Sequence, residues 1–186
     1  MGESFLHYFN RTVSKVRVVR KTSSSFMQAL AGFMDIAVAF RASNINRERF
    51  LTEFTTTIGD TIYSNRILMD SEPTPIIVHE LCHVLQFKKS SMPWEFLFRP
   101  SRRMFYESEC VEAEILCFPN LRRGNEWFER HVEQFKDYGI KESIVRRELQ
   151  ARLDEIQRGE FLARPLRVSL AYSAWQVQEA GEDDIG

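Results

Sequence analysis

His79-Glu80-Leu81-Cys82-His83 restricts this chain more than any other five residues in it. Side chains four apart share one face of an α-helix, so both imidazoles can address a single point if this segment is helical. Pro75 suits a first helical turn, where its missing N–H costs nothing, and Ile77, Leu81, Val84 and Leu85 supply apolar positions. The pattern predicts a helix from residue 76 to about residue 88, with Ile76, Ile77 and Val84 surrounding the histidine pair. Two histidines four apart, with a glutamate directly after the first, form an arrangement that can hold one zinc ion. Glu80 stands within reach of a water on such a metal and has the chemistry of a general base. Two exposed histidines on a charged helix are the bland alternative, which the apolar flanks fit poorly.

A hydrolytic zinc site needs a third protein ligand and one open position. His7 and His131 are the remaining histidines, and Lys89 stands ten residues after His79, where a third histidine would extend the motif. The missing ligand is therefore expected from a second helix. Tyr106-Glu107-Ser108-Glu109-Cys110-Val111-Glu112-Ala113-Glu114 offers four carboxylates. Glu107, Cys110, Val111 and Glu114 share one helical stripe, whereas Glu109 and Glu112 fall on the more solvated side. Cys82, one residue from His83, lies off the metal-facing stripe. Cys110 could approach a metal as a softer ligand, but buried free cysteines usually serve as small apolar filler.

The rest of the sequence describes one ordinary domain. It has 186 residues, a net charge of −1, 27% charged and 12% aromatic residues, a composition too rich in large apolar side chains for a disordered chain. A pI near 6.4 gives no reason to expect nucleic acid as a partner. Three cysteines are too few for a disulfide scaffold and point to a reducing, cytoplasmic setting. The longest apolar run, residues 26–40, is interrupted by Gln28, Gly32 and Asp35, which argues against a membrane span and a signal peptide. Leu6 stands where a myristoylation signal wants Ser or Thr.

Along the chain, residues 1–22 are basic, with Phe5, Leu6, Phe9, Val13, Val16 and Val19 near helical spacing, and predict an amphipathic helix. Residues 26–40 read as a buried helix, with Ser43 and Asn46 as caps for a short one ending near Phe54. Thr55–Ile58, Gly59-Asp60 and Thr61–Tyr63 read as a small hairpin or bent edge strand. Residues 66–69 read as a few further extended residues, and residues 90–100 as an aromatic loop with Trp94 and Phe96–Phe98. Helices are expected over 101–118, 125–138 and 141–158, with Pro165 as a breaker and 166–177 as a short strand or last helix. The fifteen phenylalanines predict a bulky aromatic core. The expected fold class is α+β, mainly helical, as a single domain over 1–178 followed by a flexible acidic tail, 179–186.

His79 to Gln86, His-Glu-Leu-Cys-His-Val-Leu-Gln, resembles the active-site helix of gluzincin-type zinc metallopeptidases, in which a glutamate on a downstream helix is the third ligand. Residues 55–118 also resemble small metallopeptidase-like proteins of phages and bacteria. The shared features are a Thr-rich strand ending in Ile-Tyr, this helix, an aromatic loop and a segment matched by Arg103-Met104-Phe105-Tyr106-Glu107-Ser108-Glu109-Cys110. The resemblance implies a zincin-like fold and Zn²⁺ held by His79, His83 and Glu107, with Glu80 as the base of peptide-bond hydrolysis. The stripe argument favours Glu107 as well, because Glu114 lies roughly 10 Å further along the axis. Two positions depart from the pattern. Cys110 replaces an alanine, and Val111 stands where many gluzincins carry an aspartate that hydrogen-bonds the first histidine.

A peptide or protein substrate is expected to pair with the edge of the strand at residues 55–63. Tyr63, Tyr106 and His131 qualify as oxyanion donors by residue type alone. The alternative expectation is a zincin-fold structural component of a virion or other assembly, with a metal that only fixes two helices together. Its protein partners would meet the basic N-terminal segment, the loop at residues 94–98 or the acidic tail.

Overall fold

Local sequence signals account for most of the element boundaries, and pairing between distant segments accounts for the rest. The computed structural model describes residues 3–39, 46–65, 73–88, 99–120, 125–137 and 139–183. Helix α1, Phe5–Thr12, is capped by Ser4, whose hydroxyl accepts the His7 N–H, and buries Phe5, Leu6 and Phe9. The expected helix over residues 1–22 stops there. Asn10 Oδ1 accepts the Val16 N–H at 2.9 Å and turns the chain. Strand β1, Arg17–Arg20, follows. Its two valines suit a strand better than a helix because they are β-branched, and they find a partner far along the sequence.

That partner is β3, Thr61–Ser64. β1 runs parallel to it with Val18 opposite Ile62, and β2, Thr56–Ile58, runs antiparallel on its other side. The sheet order is β1-β3-β2, so the expected hairpin forms and its second strand is central. Gly59 takes φ 64° in the two-residue turn, a conformation open to glycine without strain. Between β1 and β2 lie a short 3₁₀ turn, Lys21–Ser23, and helices α2, Ser25–Ala39, and α3, Arg47–Thr52. Asn46 caps α3 as expected, accepting the Arg49 N–H at 2.9 Å. Ser43, residues 66–69 and the loop over 90–98 lie outside the described residues.

Lys21 is the surprise of this region. It belongs to the basic segment expected as an amphipathic helix, yet its side chain is fully buried. Its ammonium donates to the Phe54 carbonyl at 3.0 Å and Thr56 Oγ1 at 2.6 Å, and lies 3.6 Å from the Phe50 ring centroid. Burial pushes its pKa down to about 7.

The remaining elements are long helices: α4, Pro75–Phe87; α5, Pro100–Cys117; α6, Asn125–Asp137; α7, Glu142–Gln157; and α8, Ala163–Asp183. Gly159, not Pro165, ends α7. With φ 79° at Gly159, its N–H bonds the Ile156 carbonyl and the Glu160 N–H bonds the Glu155 carbonyl, a Schellman closure. Pro165 sits in the first turn of α8, where no N–H is required. α8 continues through Asp183, so residues 179–183 of the expected flexible tail are helical.

α5 is the hub. Cys110, Ala113 and Cys117 join Phe5, Phe9, Ile62, Leu81, Val168 and Trp175 in one core, built by α1, the sheet, α4 and α8. Met104, Val111 and Ile115 enter a second core with Trp127, Phe135, Val145 and Leu149 of α6 and α7. A third, small cluster of Met27, Ala31, Phe50 and Leu51 underlies α2 and α3. Aromatics fill the core in part: Phe5, Phe9 and Phe135 are fully buried, whereas Phe26, Phe105 and Phe161 are exposed. The chain is mainly helical with a small three-stranded sheet. Among the described residues no helix is long and apolar enough to cross a membrane.

Candidate metal centre

Helix α4 begins where the sequence indicated, with Pro75 in its first turn and Thr74 as cap, its hydroxyl accepting the Ile77 N–H at 3.4 Å. The helix then carries His79 and His83 one turn apart, ring centroids 4.9 Å from each other, both buried. α5 packs along α4 and brings Glu107 to them. His79 Nε2 lies 3.2 Å from Glu107 Oε2, and His83 Nε2 lies 3.8 Å from Glu107 Oε1. One carboxylate thus spans both rings. Cys110, one turn later, sets its Sγ 3.3 Å from His83 Nδ1. Ligand atoms of His79, His83 and Cys110 lie within 4.8 Å of one another, so this buried group could hold a metal ion. Burial raises the Cys110 thiol well above its ordinary pKa.

His79 is gripped from its other side. Its Nδ1 donates to Glu114 Oε1 at 2.7 Å, and Glu114 Oε2 lies 3.4 Å from His131 Nε2. Glu114 therefore provides the carboxylate partner that Val111 does not, one turn further on. Burial pushes the Glu114 carboxyl up, but hydrogen bonds from His131 and His79 outweigh it and hold the pKa at about 2. A carboxylate in that state only accepts, so Nδ1 keeps its proton and Nε2 is the nitrogen able to release one. Burial pushes His79 down, yet the two glutamates outweigh it and raise its pKa well above 6.5. Glu107 responds in the opposite sense: burial raises it, and the hydrogen bond from His79 with the charges of both histidines lowers it overall. A cation bound at Nε2 would take the place of that proton.

Glu80 is buried and fixed at one end. Thr57 Oγ1 of β2 donates to Glu80 Oε2 at 2.6 Å, tying the edge strand to α4. His131 is committed elsewhere than to an oxyanion: its Nδ1 donates to the Trp127 carbonyl at 2.9 Å while Nε2 faces Glu114. Tyr63 packs near the Phe26 ring, and Tyr106 sits edge-on to Phe105.

Glu109 and Glu112 overturn the expectation of a solvated side, since both are buried. Arg164 of α8 donates to both oxygens of Glu109, at 2.8 and 2.6 Å. Glu112 Oε1 accepts the Leu162 N–H at 2.9 Å, and its Oε2 lies 2.7 Å from Arg152 Nη2 of α7. Burial pushes the Glu112 carboxyl up to about 7 despite these partners. The sequence carried a usable signal, because Met104, Val111 and Ile115 form a second apolar stripe on the same helix. A helix apolar on two faces is packed on both, and its charges must then be paired.

No known protein family, curated protein or solved structure matches the chain. The chemistry of the cluster is the basis for a functional reading.

Proposed function

We propose that this chain is a zinc-dependent peptide-bond hydrolase of gluzincin type, with the metal held by His79, His83 and Glu107. The observation that carries the reading is the Glu107 carboxylate spanning the Nε2 atoms of both histidines, at 3.2 and 3.8 Å. Two imidazoles and one carboxylate are a donor set that suits zinc and leaves a fourth position open. A zinc ion bound there supplies Lewis-acid polarisation of the scissile carbonyl and activates water. Glu80 accepts the proton of the attacking water and hands it to the leaving amine. The Thr57 hydroxyl holds one Glu80 oxygen and leaves the other for that transfer. β2 is an edge strand of its sheet and offers its outer side to an extended peptide.

The direct test pairs metal content with a peptide-library assay on wild type and Glu80→Gln. One zinc per chain in both, with cleavage by wild type alone, is expected. Absence of zinc, with His79→Ala unchanged in stability, would sink the proposal. A second reading, a structural metal in an assembly protein, is favoured by the Cys110 sulfur beside His83. It predicts stoichiometric zinc and no cleavage by either protein.

A further inference from the structure

We propose that Gln86, held from behind by Glu109 and Arg164, fixes the tautomer of His83 and so decides which of its nitrogens meets the metal; the proposal rests on the metal site described above. Gln86 is fully buried. Its amide nitrogen donates to the Tyr106 carbonyl at 2.8 Å and to Glu109 Oε2 at 2.9 Å. Both N–H groups are thereby committed to acceptors. Turning the amide over would set its oxygen against a carbonyl and a carboxylate, so the orientation is fixed by the neighbours. Oε1 is left facing His83 Nδ1 at 2.7 Å. An acceptor there requires the proton on Nδ1 and confines the ring's lone pair to Nε2, the nitrogen nearest Glu107. Cys110 Sγ faces the proton-bearing side of the ring, so His83 Nδ1 and Cys110 do not share a metal.

The lock extends to the last helix. Arg164 grips both oxygens of Glu109 and sets its carboxylate where Oε2 meets the Gln86 amide. The closure at Gly159 ends α7 and turns the chain into α8, whose first turn carries Arg164. Arg164 is a positioning residue that acts on the metal through Glu109, Gln86 and His83. Arg152 makes a comparable buried ion pair with Glu112 on the same helix and donates to the Glu160 carbonyl before α8, but bonds none of Glu109, Gln86 and His83 among the described contacts. It is the natural control.

Two readouts on the full-length protein test the lock: the His83 tautomer from ¹⁵N NMR of the imidazole, with zinc removed and added, and zinc affinity by chelator competition. Wild-type His83 is expected to carry its proton on Nδ1 in both states, and Gln86→Leu to mix the tautomers. Arg164→Gln should weaken zinc binding about tenfold, with Arg164→Lys recovering most of the loss. Arg152→Gln should lower unfolding stability as Arg164→Gln does and keep wild-type zinc affinity. A wild-type proton on Nε2 of His83 would overturn the proposal, as would equal weakening of zinc by the two arginine variants. If wild type takes up no zinc yet keeps its proton on Nδ1, the hydrolase reading falls and the hydrogen-bond lock stands.

Discussion

Glu109 on α5 and Glu129 on α6 are each gripped by an arginine from a neighbouring helix, Arg164 in one case and Arg146 in the other, at nearly the same distances. The side chains of the first pair are 4% and 18% exposed, those of the second 49% and 40%. Similar distances therefore hide unequal consequence, although Arg164 uses one nitrogen for both oxygens and Arg146 uses two. Charges in water gain little from pairing, because solvent already stabilises them and salt screens them. Charges taken out of water are costly to strand, so each buried glutamate of α5 constrains whatever lies opposite it. α5 uses that constraint to orient imidazoles, whereas the α6–α7 surface network, which also joins Lys136 to Glu133 and Glu142, has no such task.

The contrast breaks most visibly at Arg152. Arg152→Met strands the Glu112 carboxylate and should lower unfolding stability at pH 8 by about 3–5 kcal/mol, read by denaturant titration. The loss should shrink toward pH 5. A folded-state pKa raised to about 7 means that the stability Glu112 contributes is complete below its ordinary pKa and lost as pH rises through 7. Lys21 titrates with the opposite sign. Its folded-state pKa is depressed to about 7, so its contribution is complete above its ordinary pKa of 10.5 and lost as pH falls through 7. Wild-type stability should carry a component of a few kcal/mol rising between pH 7 and 10 that Lys21→Met removes. Glu107→Ala should cost at least about tenfold in zinc affinity, whereas Cys110→Ala should leave it unchanged. Arg146→Ala closes the series, with no measurable shift in unfolding midpoint in 0.15 M salt.

The sequence made α4 and the hairpin legible because their signals are local: a proline in the first turn, two histidines one turn apart, and a glycine at a turn. β1 was illegible because Val18 and Val19 are stabilised by β3, more than forty residues away. Among the residues singled out, Glu107 lies 3.2 Å from His79 and 3.8 Å from His83. Glu114 lies two turns from Glu107, yet an imidazole has a nitrogen on each side, and His79 bridges the two carboxylates. The role of Gln86 is illegible in the sequence because its amide is held by Tyr106 and Glu109 of α5, and Glu109 in turn by Arg164 of α8.

Which side chain would complete the proposed metal site decides between the hydrolase and the structural reading. X-ray absorption at the zinc edge on the purified full-length protein measures it directly. The account predicts nitrogen and oxygen neighbours at roughly 2.0–2.2 Å and no sulfur. A zinc–sulfur shell near 2.3 Å would put Cys110 on the metal and contradict it.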